Sequence, residues 1–139
     1  MAKESGLGVT TFSVDDSAGT QRAIINDVTQ FNITTPSNQQ DVTGVDKSAM
    51  ERLLLLADGQ VQFTYVFNDA ATIGVFTVLR NYRTLAASQV GRTTTITHSG
   101  NTLAMELLYN DFPLNRGADG SLTGQVTGML ADGTVPAWS

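Results

Sequence analysis

Cysteine is absent from this 139-residue chain, and histidine occurs once, at His98. The first absence excludes disulfides and thiolate-bound metals. With a single imidazole, a zinc centre lacks its other nitrogen and sulfur ligands. His98 closes the run TTTITH beside a turn, where a hydrogen-bonded surface residue is a simpler reading than a catalytic base. Charge is scarce as well: 15% of residues are Asp, Glu, Lys or Arg, against roughly 25% in an ordinary soluble domain. That deficit points to surface that another molecule covers. The balance is acidic, −5, which argues against a domain built to grip nucleic acid by its phosphates. Long apolar runs are missing too. Leu53 to Ala57 is the longest, far short of the roughly 18 residues that span a bilayer, and the opening MAKESGLGVT lacks the apolar core of a secretion signal. Cytoplasmic synthesis without membrane insertion is expected. No glycine-rich loop precedes a helix, so a phosphate cradle is excluded. The carboxylates Asp15, Asp16, Asp27, Glu106 and Asp111 do not have the spacing of a glycosidase pair. No catalytic, cofactor or metal site is predicted.

What the chain does have is the period of β-strands. Gly8 to Val14 and Gln21 to Thr34 flank the turn formers DDSAGT and read as a hairpin. Val61, Phe63, Tyr65 and Phe67 alternate with polar residues, as do Leu103, Met105, Leu107 and Tyr109 with Ala104, Glu106, Leu108 and Asn110. Further strands are read at IGVFTVLR, TTTITH and SLTGQVTGML. The last puts Gly124 and Gly128 on its inner face, which predicts tight backbone approach or a bend. Ala-Asp-Gly recurs at residues 57–59, 118–120 and 131–133 as turn punctuation, without the further oxygen ligands of a calcium loop. About seven strands with turns between them predict a mainly β protein, an antiparallel sandwich or barrel.

One segment has helical spacing. Met50, Leu53, Leu54 and Ala57 fall at i, i+3, i+4 and i+7, with Asp46 placed to cap the start, so one short flanking helix is predicted there. Leu55 and Leu56 fall outside that stripe. Either the helix ends near Leu55, or a second subunit covers it. Three connections are long: Thr35 to Gly44, Asn81 to Arg92, and a tail carrying the only tryptophan, Trp138, which is expected to dock on something. Arg80, Tyr82, Arg83 and Arg92 mix basic and aromatic character. In an acidic chain this reads as a solvated or subunit-contacting loop rather than a nucleic-acid site.

The ordered set DVTGVDKSAMERLLLLADG, a strand ending in VFN, and the close LADGTVPAW resembles the small tail tube proteins of long-tailed bacteriophages. KESGLGVTTFSVDDSAGT, INDVTQFNITTP and NRGADGSLTG extend the resemblance over nearly the whole chain; it is thinnest between Ala70 and Arg92. The resemblance implies one tail tube domain over residues 1–139, with residues 1–7 and 131–139 as candidate arms. It implies a β-barrel or sandwich with a flanking helix, assembled as six-copy rings stacked into a hollow tube. Expected subunit contacts are Met50, Leu53, Leu55 and Leu56 on the helix, Asn38, Gln39 and Gln40 in the first long loop, Tyr82 and Arg83 in the second, and Trp138. Expected partners are further copies of the chain, tape-measure, baseplate and tail terminator proteins, and viral DNA passing through without specific binding. The site of action would be the virion tail, after synthesis in the bacterial host cytoplasm. Six copies would carry about −30 per ring, a field that keeps DNA from sticking, with Glu106 and Asp111 as first choices for the lumen. The alternatives are a monomeric ligand-binding β-barrel and a related head-tail joining or tail terminator ring.

Overall fold

A computed structural model describes residues 3–139. Its strands are β1 (Val9–Asp15), β2 (Gln21–Ala23), β3 (Val28–Thr34), β4 (Ser37–Asp41), β5 (Arg52–Ala57), β6 (Gln60–Val66), β7 (Arg92–His98), β8 (Asn101–Tyr109), β9 (Asn115–Arg116) and β10 (Leu122–Leu130). One α-helix, α1 (Val75–Leu79), lies between β6 and β7. The larger sheet runs β2-β1-β7-β8-β10-β6-β3 with β9 against β10; β4 and β5 form a sheet of their own. Every pairing is antiparallel.

The long sheet folds over on itself into two layers, because each strand has one apolar face to bury. Phe12 of β1 meets Phe31 of β3 and Phe63 of β6 edge-on, at centroid distances of 5.4 and 5.0 Å. Val61, Phe63 and Tyr65 of β6 and Leu103, Met105, Leu107 and Tyr109 of β8 fill the space between, as their alternation predicted. Closure is incomplete: β2 and β3 end the path, so the architecture is sandwich-like rather than a closed barrel. Both inward glycines of β10 are at close approaches. A Cβ on Gly124 would stand 2.5 Å from the Tyr65 hydroxyl, and one on Gly128 would stand 2.8 Å from the Tyr109 ring.

The stretch Gln21 to Thr34 does not run as one strand. It breaks at Ile24 to Asp27, after which β3 leaves β1 and pairs with β6. Buried Asp27 uses this break. Its carboxylate accepts the Asn68 amide at 2.8 Å and the Val75 backbone N–H, at the start of α1, at 2.9 Å. At the other end stands Arg92, the largest fully buried side chain. Its guanidinium donates to the carbonyls of Val78 (2.6 Å), Asn81 (2.7 Å), Thr84 (3.2 Å) and Asp15 (3.3 Å). An anion at the N-terminus and a cation at the C-terminus both complement the helix dipole.

The helix assignment in the sequence is therefore corrected twice. IGVFTVLR contains α1, whose Val75, Val78 and Leu79 are buried. The Met50 to Ala57 segment is no helix: Asp46 sits in a loop paired with Lys47, and the leucines form β5. Leucine's helix propensity is a weak prior. Here it loses to backbone pairing with β4, in the polar stretch first read as a loop.

Candidate functional site

Strands β3 and β4 are consecutive, joined through Thr35 and Pro36, and β5 and β6 are joined through Asp58 and Gly59. The Asp58 N–H donates to the Pro36 carbonyl at 2.8 Å and ties the two joints together. The result is one long hairpin whose root belongs to the main sheet and whose outer part, Ser37 to Ala57, pairs only with itself. At about 3.3 Å per residue, β5 alone projects on the order of 20 Å.

That projecting arm is bare on both faces. Leu53 and Leu55 point to one side and are 52% and 48% exposed; Leu54 and Leu56 point to the other at 74% and 80%. Opposite them stand the amides of Gln39 and Gln40. Met50 and Val45, near the tip, are exposed as well. An isolated two-stranded hairpin is marginal in water, and a run of exposed leucines marks a contact surface. Asn38, Gln39, Gln40, Met50, Leu53, Leu55 and Leu56, predicted from two different elements, thus sit on one hairpin. Sequence reading placed Leu54 on the helical stripe with Met50 and Leu53 but did not count it among the contacts. The alternation that four leucines acquire in a strand would have found it.

The remaining predicted contact residues lie apart. Tyr82 is half-buried against the core in the loop after α1, with the Arg83 guanidinium 4.9 Å from its ring. Arg80 stacks on Phe76 and Arg92 is interior, so the four residues do not form one basic patch. Trp138 bridges to Leu103 of β8, while Ser139 exchanges two 2.9 Å backbone bonds with Thr102. The tail therefore docks on its own chain, leaving the indole 52% exposed. Glu106 points away from the core on β8 and accepts the Thr93 hydroxyl. Asp111 lies beyond β8, exposed, its carboxylate accepting the Phe112 N–H at 2.8 Å.

His98 is a pin for the N-terminal segment. Its Nε2 lies 2.8 Å from the Ser5 carbonyl and its Nδ1 3.8 Å from Glu4, whose carboxylate also accepts the Ser99 hydroxyl. Among the described residues no group of three or more histidines and carboxylates could hold a metal ion. No helix among them is long and apolar enough to cross a membrane.

No family model and no curated protein matches the chain. Solved structures do. A chain in the tail of an empty gene transfer agent particle, refined with C6 symmetry, matches with TM-score 0.72 and 15% identity, covering 99% of this chain and 98% of that one. A chain in the virion of a native gene transfer agent particle matches with TM-score 0.71 and 13% identity, covering 99% of each. At these identities the likeness is one of fold, and it runs the whole length: the chain shares its β-fold with those particle chains.

Proposed function

We propose that the chain is the repeating structural unit of a phage-like tail. Six copies close into a ring, rings stack into a hollow tube, and DNA passes through it. The observation that carries this reading is the arm Ser37 to Ala57, with leucines uncovered on both faces. One face is covered by a neighbour in the same ring and the other by the adjoining ring. Fully burying a leucine contributes about 1.5–3 kcal/mol, so four leucines per copy, repeated around a ring, supply a substantial driving force. The C6 symmetry of the tail with the same fold supports the sixfold count.

Met50 and the amides of Asn38, Gln39 and Gln40 complete the arm's contacts. Tyr82, Arg83 and Trp138 serve a second set on the body of the subunit. Tape-measure, baseplate and terminator proteins are the partners such a tube requires at its interior and ends. Nothing in the mechanism calls for a cofactor; the protein works by shape and association. A ligand-binding barrel gains no support, because aromatic side chains fill the space between the layers.

Negative-stain electron microscopy of the purified chain over a concentration series tests the reading. Sixfold rings or hollow filaments are expected, and their loss in the Leu54→Asp, Leu56→Asp double variant. A wild-type chain that stays monomeric at every concentration, and fails to add to tail fragments, would sink it.

A further inference from the structure

The outward face of β3, β6 and β10 carries an unusual composition. Register places Gln30, Thr64 and Gln125 in one cross-strand row, Asn32, Gln62 and Thr127 in the next, and Thr34, Gln60 and Met129 in a third. Their neighbours along each strand, Phe31, Ile33, Val61, Phe63, Val126 and Gly128, face the core. Eight of these nine positions bear an uncharged amide or hydroxyl, one bears methionine, and none bears a charge.

Such a face fits neither ordinary use of a sheet surface. A surface facing bulk solvent carries interspersed acids and bases, and this protein has 13 acidic residues to place. The core of a protein interface is apolar and aromatic, and this face is not. What suits it is a wall that must stay hydrated beside a polyanion without attracting it. Lysine or arginine would capture phosphates and release counterions, giving strong, salt-dependent binding. Carboxylates in a confined channel would focus a repulsive field on the same phosphates. Amides and hydroxyls do neither.

We propose that the β3-β6-β10 face is the channel wall, and that it lets duplex DNA pass by being electrically neutral rather than acidic. This rests on the tube reading above, whose net negative charge then belongs to other surfaces. The third row continues to Leu108 of β8, and Glu106, two residues along that strand and hydrogen-bonded to Thr93, borders the neutral rows at the β8 edge, while Asp111 lies beyond the end of β8.

The chain has no native cysteine, so Gln62→Cys at the centre of the face gives a single reporter, with Thr127→Cys as a second in case the first folds poorly. In free subunits both a small maleimide and a PEG-maleimide too bulky to enter the tube should label it. In assembled tubes the small reagent should still react and labelling by the bulky one should be lost. Bulky labelling of tubes places the face outside, and failure of the small reagent places it in a subunit joint; either overturns the proposal. A second arm uses Gln62→Lys tubes and short duplex DNA. They should retain DNA at low salt and release it between roughly 50 and 200 mM, while unmodified tubes retain none. Retention by unmodified tubes, or none by Gln62→Lys tubes, overturns neutrality as the mechanism. If the unmodified chain forms no tubes at all, the failure lies with the tube reading instead, and microscopy of the same samples shows which has failed.

Discussion

At the scale of single residues, the two buried charges explain why a helix of one turn and a half exists at all. Five residues cannot sustain a helix by propensity. Asp27 and Arg92 hold α1 by its two ends, and its apolar residues fill the core. Asp27→Ala leaves the Val75 N–H and the Asn68 amide without an acceptor, and a buried unsatisfied group costs about 1–3 kcal/mol. Urea unfolding should show a loss of that size, with Asp27→Asn costing less because one acceptor oxygen remains. Arg92→Met should cost on the order of 3 kcal/mol, since the carbonyls of Val78 and Thr84 lose the guanidinium donor and that of Asn81 keeps only the Thr84 N–H. Asp16 supplies a pH dependence. Partial burial raises its pKa, but bonds from the Thr20 and Ala18 backbone and from Arg22 outweigh this and hold it below the ordinary carboxylate value. A carboxylate depressed in the folded state contributes stability above its unfolded pKa and loses it as pH falls through the folded one. Stability should therefore decline below about pH 4, and Asp16→Asn should flatten that part of the pH profile.

At the scale of elements, the arm is separable from the body. Its leucines touch little of their own chain, so surface substitutions there should change stability by no more than about 0.5 kcal/mol. Leu54→Asp with Leu56→Asp is expected to unfold at nearly the wild-type urea midpoint while failing to assemble. A large fall in the midpoint would mean the arm packs on the body. The same arm shows where reading the sequence worked and where it stopped. Period-two alternation revealed β6, β7, β8 and β10, since each has one face in the core and one in solvent. In β5 both faces are apolar, so the alternation vanished and a fortuitous helical stripe took its place. The segment of α1 failed in the opposite sense: β-branched Val75 and Val78 favour strands, and its helical state depends on Asp27 and Arg92, far away in sequence. The exposed apolar surplus was legible at Leu55 and Leu56; the hairpin that carries it was not, because pairing with a polar strand leaves no periodic trace. Two of the three Asp-Gly turns were legible in full; at Asp58 the carboxylate instead accepts the N–H of the very next residue, Gly59. Asp119 and Asp132 each accept the backbone N–H two residues on, with Gly120 and Gly133 at positive φ.

At the scale of the whole molecule, the proposed assembly has to bring acidic copies with few charges together through apolar contacts, against their own repulsion. Each copy carries −5, and closing a ring brings about six such charges' worth of like sign within a few tens of ångströms. At about 0.01 M salt the screening length is about 30 Å, so copies around a ring repel one another; at 0.15 M it is about 8 Å, and that repulsion fades. The leucine contacts do not weaken in parallel, and excluded salts such as sulfate strengthen burial of apolar surface. Light scattering should therefore show the assembly threshold moving to lower protein concentration as salt rises, with sulfate more effective than chloride at equal ionic strength. The opposite trend, rings that dissolve on adding salt, would mean that copies are held by complementary charges. The arm's leucines would then not be the driving contact.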